Sequence, residues 1–436
     1  MENMDLFGKT FECTCGRTHT IVPGEVVYAD DALAQLPAVC ARVTDGRNVA
    51  MLMDARTRAA AGAAAAETLS GAGWNVTVLL VDDPAGGSPV CDDHTMDALA
   101  PRLGAPELVV PVGGGVMNDL GKWIAMDRDL PYVAVATAAS MNGYASSNIA
   151  PTVDGVKRLV YGRAPQAIVA SPAVLLDAPY RLTASGLGDV LAKSVSSADW
   201  YLNHLLFGDY YCRRSVGLIA EIESLYFDRP EDLRDGRPNA MEALFAALLL
   251  TGVAMTMAET SSPASGGEHL IGHSLDMMSS LDGAGHDLHG RQVGIGTVLA
   301  SELYRRVLAV ESPAFVAPVE AVDRAFWGPL ADVVEAEYVQ KIPRLHQAVE
   351  KLSAGSTWDE IRSVLSAMVR TPESIRDCLV RAGAACRAAD IGCSRERLTC
   401  ALIHGRQMRP RFTVLDLAAL LGLLPAAADE IVEAFA

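Results

Sequence analysis

Positive charge is scarce in this 436-residue chain: 36 Lys and Arg stand against 53 Asp and Glu, a net −17 with histidine neutral. Nucleic-acid and polyanion binders neutralise phosphates with clustered basic residues, so the balance argues against that class. A small anionic substrate would need a local positive site, such as a metal, a helix N-terminus or a few Lys and Arg. Long apolar runs are also missing. The longest uncharged stretch, Leu130 to Val153, is broken by Pro131, Asn142 and Gly143, and the most apolar one, Ala243 to Ala258, is interrupted by Thr251 and Gly252. The latter falls short of the ~18–20 residues needed to cross a bilayer, so no membrane span is expected. The opening MENMDLFGKTFECTCG has early acids and no apolar core, so no signal peptide is expected and a cytoplasmic location is. Nine cysteines, an odd number without a regular framework, suit a reducing compartment. Cys13 and Cys15, with His19 four residues on, have metal-like spacing. A zinc site normally takes four ligands and the next cysteine is Cys40, so an ordinary loop or strand pair is the favoured reading there.

What is present is an ordinary globular composition, half apolar and one-fifth charged, with length for two or three domains at about 150 residues each. Short β-rich apolar runs recur at Asn48–Asp54, Asn75–Val81, Glu107–Val112, Tyr132–Ala136 and Ala167–Ala170, followed by Val174–Asp177. Helical spacing fills Arg56–Gly71 and Asp93–Leu103 between them. This alternation predicts βαβ units and a mainly parallel sheet. Beyond Pro179 helical patterns dominate: Leu182–Leu205, Asp209–Leu225, Asn239–Glu259, Gly294–Val310, Tyr338–Lys351, Thr357–Arg370 and Pro372–Ala382. Asp228–Asn239, rich in Pro and Gly, reads as a loop. The expected division is an α/β domain over residues 1–178 and an all-α domain over 179–436.

Three stretches of the first half suggest a nucleotide site. Pro111 to Lys122 (PVGGGVMNDLGK) follows one predicted strand and opens a helix, and Gly113, Gly114 and Gly115 would let a diphosphate approach the backbone and the helix N-terminus. Asp54 closes another strand, where it could accept from ribose hydroxyls or cap the helix of ARTRAAA, the two not being exclusive. Thr137 to Ser140 follow a third strand, at the sheet edge where ligands of open α/β sheets collect. The second half carries a different chemistry. Gly186-Leu-Gly-Asp189 places a carboxylate just inside a helix start, His269 and His273 share a helix face at i and i+4, and His289 opens another helix. Four of the nine histidines fall between 269 and 289; one carboxylate with two of them makes a catalytic divalent-metal set, while His286 reads as a surface residue.

The ordered motifs GGG-V-x-N-D-x-x-K, T-A-x-S-x-x-G-x-x-S, G-x-G-D, E-H-x-x-x-H and H-G-x-Q-V resemble those of the dehydroquinate synthase-like and iron-containing alcohol dehydrogenase superfamily. Within it the chain is most similar to the sn-glycerol-1-phosphate dehydrogenase family, from about Val27 to Leu299. The resemblance implies a Rossmann-like domain followed by a helical one, and NAD(P)H-dependent reduction of dihydroxyacetone phosphate. It further implies one divalent ion (zinc, nickel or iron) on Asp189, His269 and His289, with His273 beside it as substrate contact and proton donor. Gly113, Gly114, Gly115, Met117 and Asn118 map onto the diphosphate loop; Thr137, Ala139 and Ser140 onto the nicotinamide loop; Ser146 onto a further cofactor contact; and Asp54 onto the ribose acid. Asn142 stands at a substrate-facing position where the family usually has aspartate. A small phosphorylated substrate and a homodimer or larger assembly are expected, with Lys157 and Arg158 as candidates for the phosphate or a solvated turn. No motif is matched beyond about Glu311. Three other readings stay open: a sugar-phosphate cyclase of the dehydroquinate synthase kind, a polyol or alcohol dehydrogenase acting on an unphosphorylated substrate, and a catalytically silent binding protein. The absence of basic residues from ATAASMNGYASS weighs against the cyclase.

Overall fold

The computed structural model describes residues 6–84, 87–153, 156–218, 220, 222–353 and 356–435. Its strands are β1 (Thr10–Glu12), β2 (Thr18–Thr20), β3 (Glu25–Tyr28), β4 (Asn48–Met53), β5 (Asn75–Leu80), β6 (Leu108–Gly113) and β7 (Val133–Ala136), then the two-residue strands β8 (Asn148–Ile149), β9 (Thr152–Val153), β10 (Val156–Lys157) and β11 (Val160–Tyr161), and finally β12 (Ala167–Ala170). Six of them form one parallel sheet in the order β3-β12-β7-β6-β4-β5. The run AIVA is buried throughout, as are LVVPVG and VAVA, which is why these central strands read as continuous apolar segments. Strand β5 lies at the sheet edge and exposes Thr77 and Val78.

The chain divides into two compact units, Met1–Gly186 with Gly217–Tyr226 and Asp232–Glu259, and Leu187–Val216 with Phe227–Glu231 and Thr260–Ala436. The first has a core of sheet residues such as Met51, Val110 and Val135 packed with Leu36, Val39 and Leu69 of the flanking helices. It also owns the helix Pro238–Ala258, whose 21 residues make it longer than the apolar run suggested and apolar enough to cross a membrane by length and composition. The most apolar window of that helix is 89% buried inside the protein. In the second unit Gly267–Asp282 and His289–Leu308 pack against each other, ringed by Pro372–Ala382, Arg395–His404, Val414–Leu420 and Ala428–Phe435. The segment beyond Glu311, which carries no recognisable motif, therefore forms the wall around the histidine-bearing helices.

An α/β first half and a helical second half are what the sequence pattern predicts, but several elements differ. Val174–Asp177 is not extended; it belongs to the helix Pro172–Asp177, with proline in its first turn. Leu182–Leu205 is two helices, Tyr180–Leu191 and Lys193–Phe207. Asp209–Leu225 is not one helix: Arg213–Gly217 and Ser224–Phe227 are short pieces, and the first starts late because Tyr210 and Tyr211 are held against Trp200. The loop Asp228–Asn239 contains the short helix Glu231–Arg234.

Candidate active site

The first unit brings the expected cofactor residues to the carboxyl ends of its strands. The connection leaving β4 runs to β5 on one side, whereas β6 leads to β7 on the other, so β4 and β6 flank a switch point of the sheet. Ligands of open α/β sheets bind in the crevice such a reversal leaves. The structure puts Asp54 and the glycine triplet there. Gly113 ends β6, Gly114 caps the helix Gly115–Asp127, and the backbone N–H groups of its first turn lack helical partners. A Cβ on Gly113 would stand 2.5 Å from Met117 Cγ, and one on Gly114 would stand 3.4 Å from Ser140 Oγ. Gly113 thus leaves no room for a side chain beside Met117, whereas a Cβ on Gly114 or Gly115 would make only ordinary contact with Ser140 or Met141.

Asp54 is a helix cap: its Oδ1 accepts from Thr57 N at 2.7 Å and its Oδ2 pairs with Arg56 at 2.9 Å. Thr137 N–H donates to Gly113 O at 3.3 Å, tying β7's exit to the glycine loop. Ser185 Oγ holds Ser140 O at 3.2 Å, and Gly186 is glycine because a Cβ would overlap the Ala139 carbonyl. After Met141 the chain makes a 3₁₀ turn, Asn142–Ala145. Two buried side chains from the glycine-loop helix hold this turn: Asn118 Nδ2 donates to Gly143 O at 3.3 Å, and Lys122 Nζ donates to Gly143 O at 3.0 Å and Asn148 O at 2.7 Å. Burial lowers the Lys122 pKa, opposed by the charge of Asp119. Ser146 is buried with its Oγ 3.3 Å from Gly143 O, while the Tyr144 hydroxyl is shared between the carbonyls of Gly113 (2.8 Å) and Ala138 (3.0 Å). Lys157 ends β10 with its side chain outside the described residues, and Arg158 follows, exposed.

The second unit gathers the histidines. Asp189, His269 and His289 present ligand atoms that all lie within 4.8 Å of one another. Asp189 sits in the last turn of Tyr180–Leu191, not at a helix start as the glycines before it suggested. Those glycines are packing positions: a Cβ on Gly188 would overlap the carbonyl of Gly290 and stand 3.3 Å from Gly294 Cα. Bare backbone at Gly188, Gly290 and Gly294 lets the helix carrying Asp189 approach the one opened by His289. His269 Nε2 lies 3.5 Å from Asp189 Oδ1, and the His273 ring, one turn on, stacks on His289 with centroids 5.3 Å apart. His286 lies outside this group, with its side chain 56% exposed.

Behind His269 is a pair of buried carboxylates that sequence reasoning left unassigned. Glu268 Oε1 meets His269 Nδ1 at 2.8 Å and accepts from Gly266 N at 2.7 Å. Asp199 Oδ2 accepts from Gly267 N at 2.7 Å, and its Oδ1 accepts from Tyr304 Oη at 2.5 Å and Val414 N at 2.8 Å. Burial raises the Asp199 pKa to about 7, assisted by the charge of Glu268 and opposed by these donors. Glu268 was visible inside the E-H-x-x-x-H motif; Asp199 had no signal beyond being an acid in an apolar helix. Burial by itself would lower the His269 pKa, yet hydrogen bonds to Asp189 and Glu268 and their charge carry it up to about 9. The environment is one that draws positive charge to this point. An open divalent site has the same requirements: a carboxylate and two imidazoles as ligands, with a carboxylate behind one imidazole to fix its tautomer. The donor set fits a divalent ion.

A Rossmann-like unit carrying a glycine-loop cradle, followed by a helical unit with an Asp-His-His metal set, defines the chain as a dehydrogenase of the iron-containing alcohol dehydrogenase type. The profile of that family, "Iron-containing alcohol dehydrogenase", matches residues 27–179. Glycerol-1-phosphate dehydrogenase [NAD(P)+] of Bacillus licheniformis is 30% identical over 300 residues, covering 68% of this chain and 74% of that one. The enzyme of the same name from Methanoculleus marisnigri is 29% identical over 398 residues, 91% of this chain and 89% of that one. Among solved structures, glycerol dehydrogenase of Schizosaccharomyces pombe superposes with a TM-score of 0.61 at 15% identity, covering 94% of this chain and 91% of that one. A 1,3-propanediol oxidoreductase superposes at 0.60 and 18% identity, covering 92% and 98%. These two share the fold. The chain belongs to the glycerol-1-phosphate dehydrogenase family.

Proposed function

We propose that this protein interconverts dihydroxyacetone phosphate and sn-glycerol 1-phosphate with NAD(H) or NADP(H) and one divalent metal ion. The observation that carries the reading is the convergence of Asp189, His269 and His289, with His273 alongside, in a member of this family. Asp189, His269 and His289 would hold the ion; Gly113, Gly114, Gly115, Met117 and Asn118 would hold the cofactor diphosphate, with Thr137, Ala139, Ser140 and Ser146 at its nicotinamide end and Asp54 at a ribose. When bound, the ion polarises the ketone oxygen as a Lewis acid and the reduced nicotinamide supplies hydride. The unpaired N–H groups at the start of Gly115–Asp127 favour an anionic diphosphate. Glu268 accepts from His269 Nδ1, which leaves Nε2, the atom nearer Asp189, as the ligand. His273, on the same helix face, holds or passes a proton at the substrate oxygen. Two neutral imidazoles and one carboxylate leave a net positive charge once a divalent ion is bound, which favours a phosphorylated substrate in a protein of net charge −17. Asn142 faces the substrate.

The test is oxidation of NADH and NADPH by protein reconstituted with zinc, nickel or iron, with dihydroxyacetone phosphate as substrate and dihydroxyacetone and glycerol as controls. Metal-dependent turnover specific for the phosphate ester, abolished by Asp189→Ala and by His269→Ala, is the expected result; chiral analysis of the product fixes its configuration. Turnover of a polyol with none of the phosphate ester would overturn the substrate and leave the site standing.

A further inference from the structure

The N-terminal hairpin holds a second group of metal-ligating side chains, sharing no residue with Asp189, His269 and His289. Strands β1 and β2 pair antiparallel, with Phe11 opposite His19 and Glu12 opposite Thr18. The turn between them is tight: Cys13 N–H donates to Arg17 O at 3.0 Å and Gly16 N–H to Cys13 O at 3.0 Å. Gly16 takes φ +84°, a left-handed conformation that glycine adopts without penalty. This bend folds Cys13 and Cys15 back towards the second strand. There the period-two alternation turns Thr18 and Thr20 outward and His19 inward, with His19 only 4% exposed. Cys15 Sγ lies 3.2 Å from His19 Nε2, and one ligand atom from each of Cys13, Cys15 and His19 falls within 4.8 Å of the others. Phe11 packs on the imidazole, with ring centroids 5.8 Å apart.

We propose that Cys13, Cys15 and His19 bind a structural zinc ion. Zn–S and Zn–N bonds of about 2.3 and 2.0 Å at tetrahedral angles place ligand atoms roughly 3.5–3.8 Å apart, the spacing this turn approximates. Thiolates with imidazole select a soft or borderline ion, whereas the carboxylate-imidazole set of the other site accepts zinc, nickel or iron alike. Two thiolates neutralise a divalent ion, so the site requires no counter-charge from its surroundings. The ion also meets a structural need. An isolated hairpin with three-residue strands buries too little to hold itself, and a metal clip replaces the missing core. Three protein ligands leave the fourth tetrahedral position to water or another donor.

Cobalt substitution of the full-length protein distinguishes the two sites, because thiolate-bound cobalt absorbs by sulfur-to-metal charge transfer and an Asp-His-His site does not. Wild-type protein reconstituted with cobalt is expected to bind two equivalents and show that band. Asp189→Ala should keep the band and lose one equivalent; Cys13→Ser with Cys15→Ser should lose the band and keep the other. Alkylation with mass spectrometry on zinc-loaded wild type should find Cys13 and Cys15 protected until a chelator is added. The wild-type spectrum decides the matter even where a variant fails to fold. A single equivalent without the thiolate band, or a Cys13–Cys15 disulfide in protein isolated without oxidant, would overturn the proposal. Neither result bears on the dehydrogenase reading, which is measured by turnover.

Discussion

Glu268 Oε1 and His269 Nδ1 lie 2.8 Å apart, both side chains almost wholly buried, so a carboxylate stands directly behind the imidazole whose other nitrogen faces Asp189. Glu268 Oε1 also accepts from the backbone of Gly266, which anchors it at the start of the helix that carries His269. The carboxylate therefore fixes both the tautomer and the direction of the ring. Glu268→Gln keeps the shape and the Gly266 contact but removes the charge, and is expected to weaken metal binding about 10–100-fold. Competition with a chelator of known affinity measures this, beside a circular dichroism spectrum that should not change. Unaltered affinity would reduce Glu268 to a helix cap.

Gly188 sets the spacing between Asp189 and His289, because a methyl group there overlaps the Gly290 carbonyl. Gly188→Ala should push the two helices apart, destabilise the protein by about 1–3 kcal/mol and cost at least as much metal affinity as Glu268→Gln. Gly217→Ala, where a Cβ meets nothing within 4 Å, is the matched control. Urea unfolding and metal titration on both variants test the claim; equal behaviour would sink it.

These glycines also show where the sequence was legible and where it was not. Strands β4, β6, β7 and β12 stood out because a parallel sheet buried on both faces leaves uninterrupted apolar runs, and the glycine triplet stood out because it joins a strand to a helix. The histidines announced themselves by helical spacing. By contrast, the sequence puts Asp189 just inside a helix start after Gly186 and Gly188, whereas both glycines lie within a continuous helix and serve close packing. Tertiary contact likewise overrode helical pattern at Tyr210 and Tyr211, which Trp200 holds through its Nε1–H bond to Tyr210 O at 2.6 Å and by ring contact. Asp199 was invisible because its partners, Gly267, Tyr304 and Val414, are scattered along the chain.

Lys122 is a buried ammonium whose hydrogen bonds end on the carbonyls of Gly143 and Asn148, pinning the turn that carries Asn142 to the glycine-loop helix. Lys122→Met fills similar volume but strips Asn148 O of its ammonium donor and leaves Gly143 O to Asn118 and Ser146, so a loss of about 1–3 kcal/mol in unfolding free energy is expected. The turn would loosen beside the proposed nicotinamide pocket, so KM for the cofactor should rise more than kcat falls. Stopped-flow NADH binding and denaturant unfolding separate the two effects. A change in stability with NADH binding intact would confine Lys122 to the fold.

The His269 pKa of about 9 makes the metal-stripped protein pH-sensitive in a defined direction. An unfolded histidine titrates near 6.5, so the folded protein binds this proton more tightly than the unfolded chain does. Its contribution to stability is complete below about pH 6.5 and disappears as pH rises through about 9. Chelated protein should therefore show a falling Tm across that window, and His269→Asn should flatten the slope. A divalent ion must displace the same proton, so metal binding at pH 7.5 should release about one proton from His269, declining to none well above pH 9. Calorimetric titration in buffers of different ionisation enthalpy counts the released proton. Metal affinity should climb with pH over the same range, while Tm of the loaded protein changes little, because the bound ion supplies the positive charge that the proton otherwise brings to Asp189 and Glu268. A flat Tm in chelated protein together with proton-neutral metal binding would mean that the two carboxylates do not hold His269 protonated.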